Sequence, residues 1–228
     1  MKFYQLCGID RSAGFSPYGW RAKLCLLHKG VKFEEVPILF TEKDRIAHAD
    51  KQTIPVLEDG DNVISDSFAI ANYLEAAYTE PSLFGGAAAQ AQAAVFNSYL
   101  DSKLIPAIFP TVLMDIHACL GETDQAYFRE SREARVGMPL EEFHTARHGD
   151  VKAFQSALAP FRAGLISQPF LSGEKPLWLD YALMGTLMWP HVVSNFEFIS
   201  ADDPLHDWRE RMFDLFGGAL RNAQRTAL

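Results

Sequence analysis

The sequence predicts an α/β unit over residues 1–80 followed by an all-α unit over 87–228. Three observations carry this expectation. Short strand-like apolar stretches alternate with helical patterns up to Tyr78. A segment with Pro81 and Gly85-Gly86 then breaks the pattern, and from Ala87 onward strand signals largely vanish.

Phe3 to Cys7 is a short apolar run that suits a central strand, and Asp10 to Gly14 is a polar loop. Pro17 fits the first turn of a helix, where its missing N–H costs nothing. Trp20, Leu24 and Leu27 recur at helical spacing until Lys29-Gly30 marks a stop. Phe33 and Val36 give the next strand its apolar positions, within Val31 to Pro37, while Thr41 to Lys51 is polar and reads as a loop or weak helix. Ile54 to Glu58, Asp59-Gly60-Asp61 and Val63-Ile64 read as strand, tight turn and strand. Asp66-Ser67 opens a helix carrying Phe68, Ala71, Tyr73, Leu74 and Tyr78.

Beyond the linker, Ala87 to Tyr99 favours helix by its alanine and glutamine content. Pro106 and Pro110 are expected to kink or interrupt the segment after Tyr99. A helix is expected over Leu140 to Ser167, imperfect at Pro160, and an apolar core helix over Asp180 to Trp189. The last is amphipathic, from Leu205 to Phe216.

The chain has 228 residues, 48% of them hydrophobic, enough to fold around one large core or two small ones. It carries 21 Lys and Arg against 29 Asp and Glu, a net charge of −8 without a long basic block, which argues against a nucleic-acid partner. Three widely spaced cysteines, Cys7, Cys25 and Cys119, make neither a disulfide framework nor a zinc pattern. His144 and His148 share i,i+4 spacing without a third ligand, so no metal site is expected. Met1 to Cys7 runs straight into strand-like residues without a signal-peptide pattern, and no apolar run reaches the roughly 20 residues of a membrane helix, so a cytoplasmic protein is expected.

In this order, Ser16-Pro-Tyr-Gly-Trp-Arg, Ile54-Pro55-Val-Leu, Asp66-Ser67 and Leu179-Asp180-Tyr181-Ala182 resemble cytosolic glutathione transferases over nearly the whole chain. A narrower resemblance is to the bacterial glutathione-dependent lignin β-etherases. It rests on Ser16-Pro-Tyr-x-Trp-Arg, Lys29-Gly30, Asp203-Pro-Leu-His-Asp-Trp208 and Phe213-Asp-Leu-Phe216. The resemblance implies a thioredoxin-like N-terminal domain that holds the cosubstrate glutathione, a helical C-terminal domain lining the acceptor cleft, and a homodimer. Ser16-x-x-Gly19 has no cysteine, so dithiol exchange is disfavoured and the thiol must be brought in.

By the same resemblance, Ser16 is the serine whose hydroxyl bonds the glutathione sulfur, Ile54 pairs its backbone with the cysteinyl part, and Pro55 is the cis-proline next in the chain. Asp66 and Ser67 hold the γ-glutamyl end. Related chains often carry a lysine or arginine before Val/Ile-Pro. Thr53 stands there in this chain, after Gln52 and Lys51, which leaves the anchor of the glycyl carboxylate open.

Each position also has a structural role available to it. Ser16 before Pro17 is a good helix cap, Pro55 can be a trans proline of an edge strand, and Asp66-Ser67 caps a helix. Ser12, Tyr18 and Tyr4 are alternative hydroxyls, and Arg21 and Lys51 alternative charges. In the helical unit, Asp180 has Leu177 where a Ser or Thr would complete a capping box. Phe109, Met114, Phe143, Trp178, Met184, Met188, Trp189, Phe196 and Phe198 are candidates for core or for the wall of an aromatic-binding cleft.

The chemistry expected from the resemblance is thiolate attack on an electrophilic carbon of an apolar, aromatic partner, with β-aryl ether cleavage as the specific form. Conjugation or isomerisation of another electrophile is the alternative, and a noncatalytic glutathione- or hydrophobe-binding protein the third reading.

Overall fold

In the structure, a computed structural model, residues 1–147, 151–197 and 199–226 are described. A four-stranded sheet has the order β2-β1-β3-β4, built from β1 (Lys2–Leu6), β2 (Glu34–Ile38), β3 (Val56–Asp59) and β4 (Asn62–Ser65). β1 and β2 are parallel, which requires a crossover, and α1 (Pro17–Lys29) supplies it. β3 runs antiparallel to β1, and Asp59 to Asn62 closes a tight hairpin to β4. α2 (Ser67–Ala77) completes a thioredoxin-like unit in the order read from the sequence.

Strand alternation sorts the two faces. Phe3 and Leu57 enter the main core with α1 and α2, whereas their neighbours Tyr4 and Val56 turn to the opposite face against Ile38, Ile46 and Ala49. Lys43–Ile46, in the stretch read as loop or weak helix, is a single 3-10 turn covering that face.

α1 opens at Ser16 with Pro17 in its first turn and ends at Gly30, whose φ of 64° suits a residue without a Cβ. The buried Lys29 ammonium donates to Glu75 Oε2 at 2.7 Å and to the carbonyls of Tyr78 and Pro81, tying the end of α1 to the linker. Lys29-Gly30 thus has a structural explanation in this chain.

The second unit is all-α. α3 (Ala87–Tyr99) has the bounds read from its composition and leads through a π-helical turn, Leu100–Leu104, into α4 (Ile105–Ala118). Of the expected kink or interruption at the prolines, no interruption occurs. Pro106 sits in the first turn of α4, where the missing donor is harmless, and Pro110 is accommodated inside the helix. α5 (Glu122–Val136) is a helix that the sequence reading did not anticipate; α6 (Leu140–Arg147) and α7 (Val151–Gly164) fall within the expected Leu140 to Ser167 helix, and residues 148–150 between them lie outside the described residues. α8 (Trp178–Val193) is the core helix and α9 (Pro204–Phe213) the amphipathic one.

Asp180, fully buried at the start of α8, accepts from the backbone amides of Leu171, Ser172 and Leu177 and from Trp208 Nε1 at 2.9 Å. Leu177 has no side-chain acceptor, so only one half of a capping box forms, and Asp180 spends its remaining capacity on the preceding loop and on α9. Asp203 caps α9 and pairs with Arg162 at 2.7 Å. The Asp203 to Trp208 segment therefore fastens α9 to α7 and α8. Among the described residues no helix is long and apolar enough to cross a membrane.

Candidate active site

The helix start at Ser16 faces a cavity of about 530 Å³ between the two units. Ser16 is 5% exposed, and its Oγ accepts from the Gly19 amide at 3.2 Å. An oxygen used as acceptor keeps its own O–H proton for donation, and no protein acceptor takes that proton among the described residues. The helix N-terminus adds partial positive charge at the same point. The arrangement favours an anion against Ser16.

Gln52, Thr53 and Ile54 line the same cavity, and Ile54-Pro55 is a cis peptide. Pro55 lies buried behind them rather than on the wall, and its carbonyl accepts from the Asp66 amide at 3.2 Å. This contact brings the strand start and the α2 start side by side. Asp66 Oδ1 caps α2 by accepting from Phe68 and Ala69, and its backbone takes a φ of 84°, sparsely populated for a residue with a Cβ. Ser67 is next in the chain, nearly fully buried, with no partner for its hydroxyl among the described residues. Asp66 and Ser67 stand next to the cavity without forming its wall.

Of the alternative hydroxyls, only Tyr18 reaches the cavity. Ser12 donates to Asp10 on the exposed loop. Tyr4 is on the far face of the sheet, where it donates to Glu58 at 2.6 Å and burial pushes its phenol up to about 12. Arg21 is unavailable as well. Its guanidinium is completely buried and donates to Thr186 Oγ1, Asn97 Oδ1 and Asp101 Oδ1. Lys51 is exposed, and its carbonyl accepts from Ser65 Oγ.

The chain's own thiols are poor nucleophiles. Burial pushes Cys7 up to about 11 and Cys119 up to about 12, and raises Cys25, which has no exposure at all. A thiolate in this cavity has to arrive with a ligand.

From the second unit, Phe109 and Trp189 reach the wall, stacked at 6.1 Å with 21° between their planes. The other aromatic and methionine candidates do not. Trp178 lines a separate apolar groove of about 630 Å³ between α3 and α7, Met184 and Phe196 line a small cavity near α9, and Met188 is core. Met114 and Phe143 pack against the core, while Phe198 and His148 lie outside the described residues. Among the described residues the α3–α7 groove has no titratable group except Tyr99, whereas the Ser16 cavity has several.

Sequence reasoning missed the wall formed by α5: Tyr127, Phe128, Arg132 and Arg135, facing Phe40 and Lys43 of the first unit. A signal was present in Glu122 and Asp124 at the opening of a helix and Gly137 at its close. Asp124, almost fully buried, accepts from the amides of Phe40 and Thr41 and from Thr41 Oγ1, fixing this wall to the first unit.

Comparison with known proteins agrees with this architecture. The profile described as "Glutathione S-transferase, N-terminal domain" matches residues 12–82, and "Glutathione S-transferase, C-terminal domain" matches residues 91–209. The chain is 30% identical over 171 residues to the glutathione S-transferase-like protein ustS of Aspergillus flavus, covering 68% of this chain and 56% of that protein. It is 40% identical over 68 residues to glutathione S-transferase Z1 of Arabidopsis thaliana, 28% of this chain and 31% of the relative. The aligned part thus spans little more than half of the first relative's length and under a third of the second's. Among solved structures, glutathione transferase GSTFuA3 from Phanerochaete chrysosporium superimposes with a TM-score of 0.82 at 21% identity, covering 100% of this chain and 98% of that one. The glutathione complex of CsGST63524 from Ceriporiopsis subvermispora gives 0.81 at 22% identity, covering 95% and 96%.

Proposed function

The chain belongs to the glutathione S-transferase family, and from that premise we propose that it is an enzyme joining glutathione to an apolar, aromatic electrophile. The observation that carries this reading is the buried Ser16 hydroxyl, its proton unclaimed, at a helix N-terminus facing a cavity that also contains Gln52, Thr53 and Ile54.

In this reading glutathione supplies the sulfur nucleophile. Ser16 Oγ–H donates to the sulfur, and the α1 N-terminus favours its negative charge, so the thiolate forms at a lower pH than for a free thiol. Ile54 meets the cysteinyl backbone, Pro55 sets the turn beside it, and Asp66 with Ser67 receives the γ-glutamyl end. Gln52 and Thr53 border the glycyl end. Phe109 and Trp189 give the acceptor a flat apolar surface. Attack forms the sulfur–carbon bond, and either the leaving group departs with the electron pair or, at an unsaturated carbonyl, the enolate takes a proton.

General conjugation is the reading favoured by the glutathione transferases that this chain matches. β-Aryl ether cleavage is the same displacement with an aryloxy leaving group. None of those relatives is named for it, and two of the four sequence motifs that suggested it, Lys29-Gly30 and Asp203 to Trp208, have structural roles in this chain. The division at 1–80 and 87–228, a homodimer and a cytoplasmic location complete the proposal. The net charge of −8 supports the absence of nucleic-acid binding.

The test is a steady-state assay with glutathione, comparing a chlorinated nitroaromatic with a β-aryl ether ketone, for wild type and S16A. Turnover of the nitroaromatic that falls at least about tenfold in S16A supports conjugation through Ser16. Turnover unchanged in S16A removes Ser16 from the chemistry, and phenol release from the ether alone would restore the narrower activity. Glutathione binding without turnover of either acceptor would favour a binding protein.

A further inference from the structure

Most arginines in this chain have a carboxylate partner: Arg21 has Asp101, Arg11 has Glu42, Arg129 has Glu133 and Glu141, Arg162 has Asp203. Arg132 does not. Its guanidinium carbon sits 4.6 Å from the Phe128 ring centroid and 5.1 Å from that of Phe40. Its Nη1 donates to Ser131 Oγ, and its buried Nε has no acceptor among the described residues. A half-buried cation with no counter-ion among the described residues has donor capacity left for an anion.

The surroundings point to a ligand. Arg132 lines the Ser16 cavity, and Arg135, one helical turn further along α5, lines it too. Lys43 stands across from them, held to Tyr127 Oη at 3.0 Å. Asp101, the one carboxylate on the wall among the described residues, is already bound by Arg21. The cavity of a chain with a net charge of −8 is therefore positive on its α5 side. The planar guanidinium, resting against the neighbouring Phe128 and Phe40 rings, is suited to bind a carboxylate through two parallel N–H donors.

We propose that Arg132, assisted by Arg135, is a carboxylate-binding subsite, so that the acceptor is an aromatic electrophile that carries a carboxylate. This rests on the transferase reading for the word acceptor, not for the subsite. A carboxylate in this cavity has two possible sources, the acceptor or the glycyl end of glutathione. We assign the acceptor because Arg132 lies on the second unit's aromatic wall, whereas Gln52 to Ile54 belong to the first.

The test uses an aryl vinyl ketone bearing an oxyacetic acid and its methyl ester, where the methylene insulates the alkene from the change of charge. Addition forms the sulfur–carbon bond at the terminal alkene carbon, and the enolate takes its proton from water. At saturating glutathione the wild type is expected to prefer the acid by about tenfold or more in kcat/KM, and R132Q to lose that preference while the ester and the KM for glutathione change less than about twofold. R135Q is expected to weaken the preference in the same direction, which keeps the test open should R132Q fold poorly.

Equal rates for acid and ester in the wild type would overturn the proposal. So would a raised KM for glutathione in R132Q with the acid preference intact, since the glycyl end would then be the group bound there. Calorimetry with the saturated acid and ester, which lack the alkene, needs no turnover. Acid-selective binding lost in R132Q, with neither alkene consumed, would retain the subsite and reject the transferase reading. Turnover with no acid selectivity would do the reverse.

Discussion

Gly185 on α8 meets the backbone of Arg21 on α1 so closely that a Cβ on the glycine would lie 2.5 Å from the Arg21 nitrogen and 2.8 Å from its Cα. The contact joins the helix that begins at Ser16 to the central helix of the second unit. No rotamer change relieves a clash with backbone. Gly185→Ala is expected to cost about 2–4 kcal/mol, read as a fall in the urea midpoint with unchanged slope. A loss below about 0.5 kcal/mol would show that the helices do not approach this closely.

Arg21 itself is the second tie between the units. Arg21→Met keeps much of the side chain's apolar bulk but strands Thr186, Asn97 and Asp101. Because the Asp101 side chain is 34% exposed, water recovers part of the loss, and the expected cost is about 2–3 kcal/mol rather than the full value of a buried pair. A double-mutant cycle with Asp101→Asn should give a coupling of about 1 kcal/mol or more. Zero coupling would contradict the contact.

For Ser16 the informative measurement is the pH at which bound glutathione ionises, monitored by ultraviolet thiolate absorbance. In the wild type the midpoint is expected at least about one unit below the value near 8.5 of an ordinary cysteine thiol, and in S16A it should move back toward that value. A midpoint identical in both proteins would leave Ser16 as a helix cap only.

His191, beside α9, gives a pH dependence of stability. Burial, reinforced by Arg225 and Arg209 and only partly opposed by Glu197 and Glu210, pulls its imidazole down to about 4. Its Nε2 is buried with no partner among the described residues. The folded protein holds the neutral ring, whereas the unfolded chain takes up a proton near 6.5, so between those values the unfolded state binds more protons. Stability is therefore expected to fall as pH drops from 6.5 toward 4, by on the order of 2 kcal/mol, and to be independent of this group above 7. His191→Gln should flatten that slope in urea titrations at pH 7 and pH 4.5. An unchanged slope would mean that another group is responsible.

Local signals made much of this architecture legible. Ser16 with Pro17, Gly30, the Asp59 to Asn62 turn and Asp66 act within a few residues of themselves, so α1, the hairpin and α2 fall where their caps and turns predict. Ser16 and Gln52 to Ile54 meet in the cavity because the βαβ crossover and the β3 start bring them there. What escaped was long-range. α5 has little apolar periodicity because one of its buried residues is Asp124, whose partners Phe40 and Thr41 lie more than eighty residues away. Arg132 escaped with it, since one arginine in a charged helix gives no sign that it packs on Phe128 of the same helix and on the distant Phe40. The π-helical turn at Leu100–Leu104 likewise has no signature in composition, although it leads directly into the helix containing Pro106 and Pro110.

The Asp124 carboxylate also fixes where the Phe40 to Thr41 segment stands against α5. Its two oxygens hold the Phe40 and Thr41 amides and the Thr41 hydroxyl, at 2.7 to 3.2 Å, while Phe40 also stacks toward Phe15, the residue before Ser16. Swinging that segment outward must release all three bonds together and leave a carboxylate stranded in the interior. The placement of this segment beside Ser16 thus hangs on one acid more than eighty residues away in the chain.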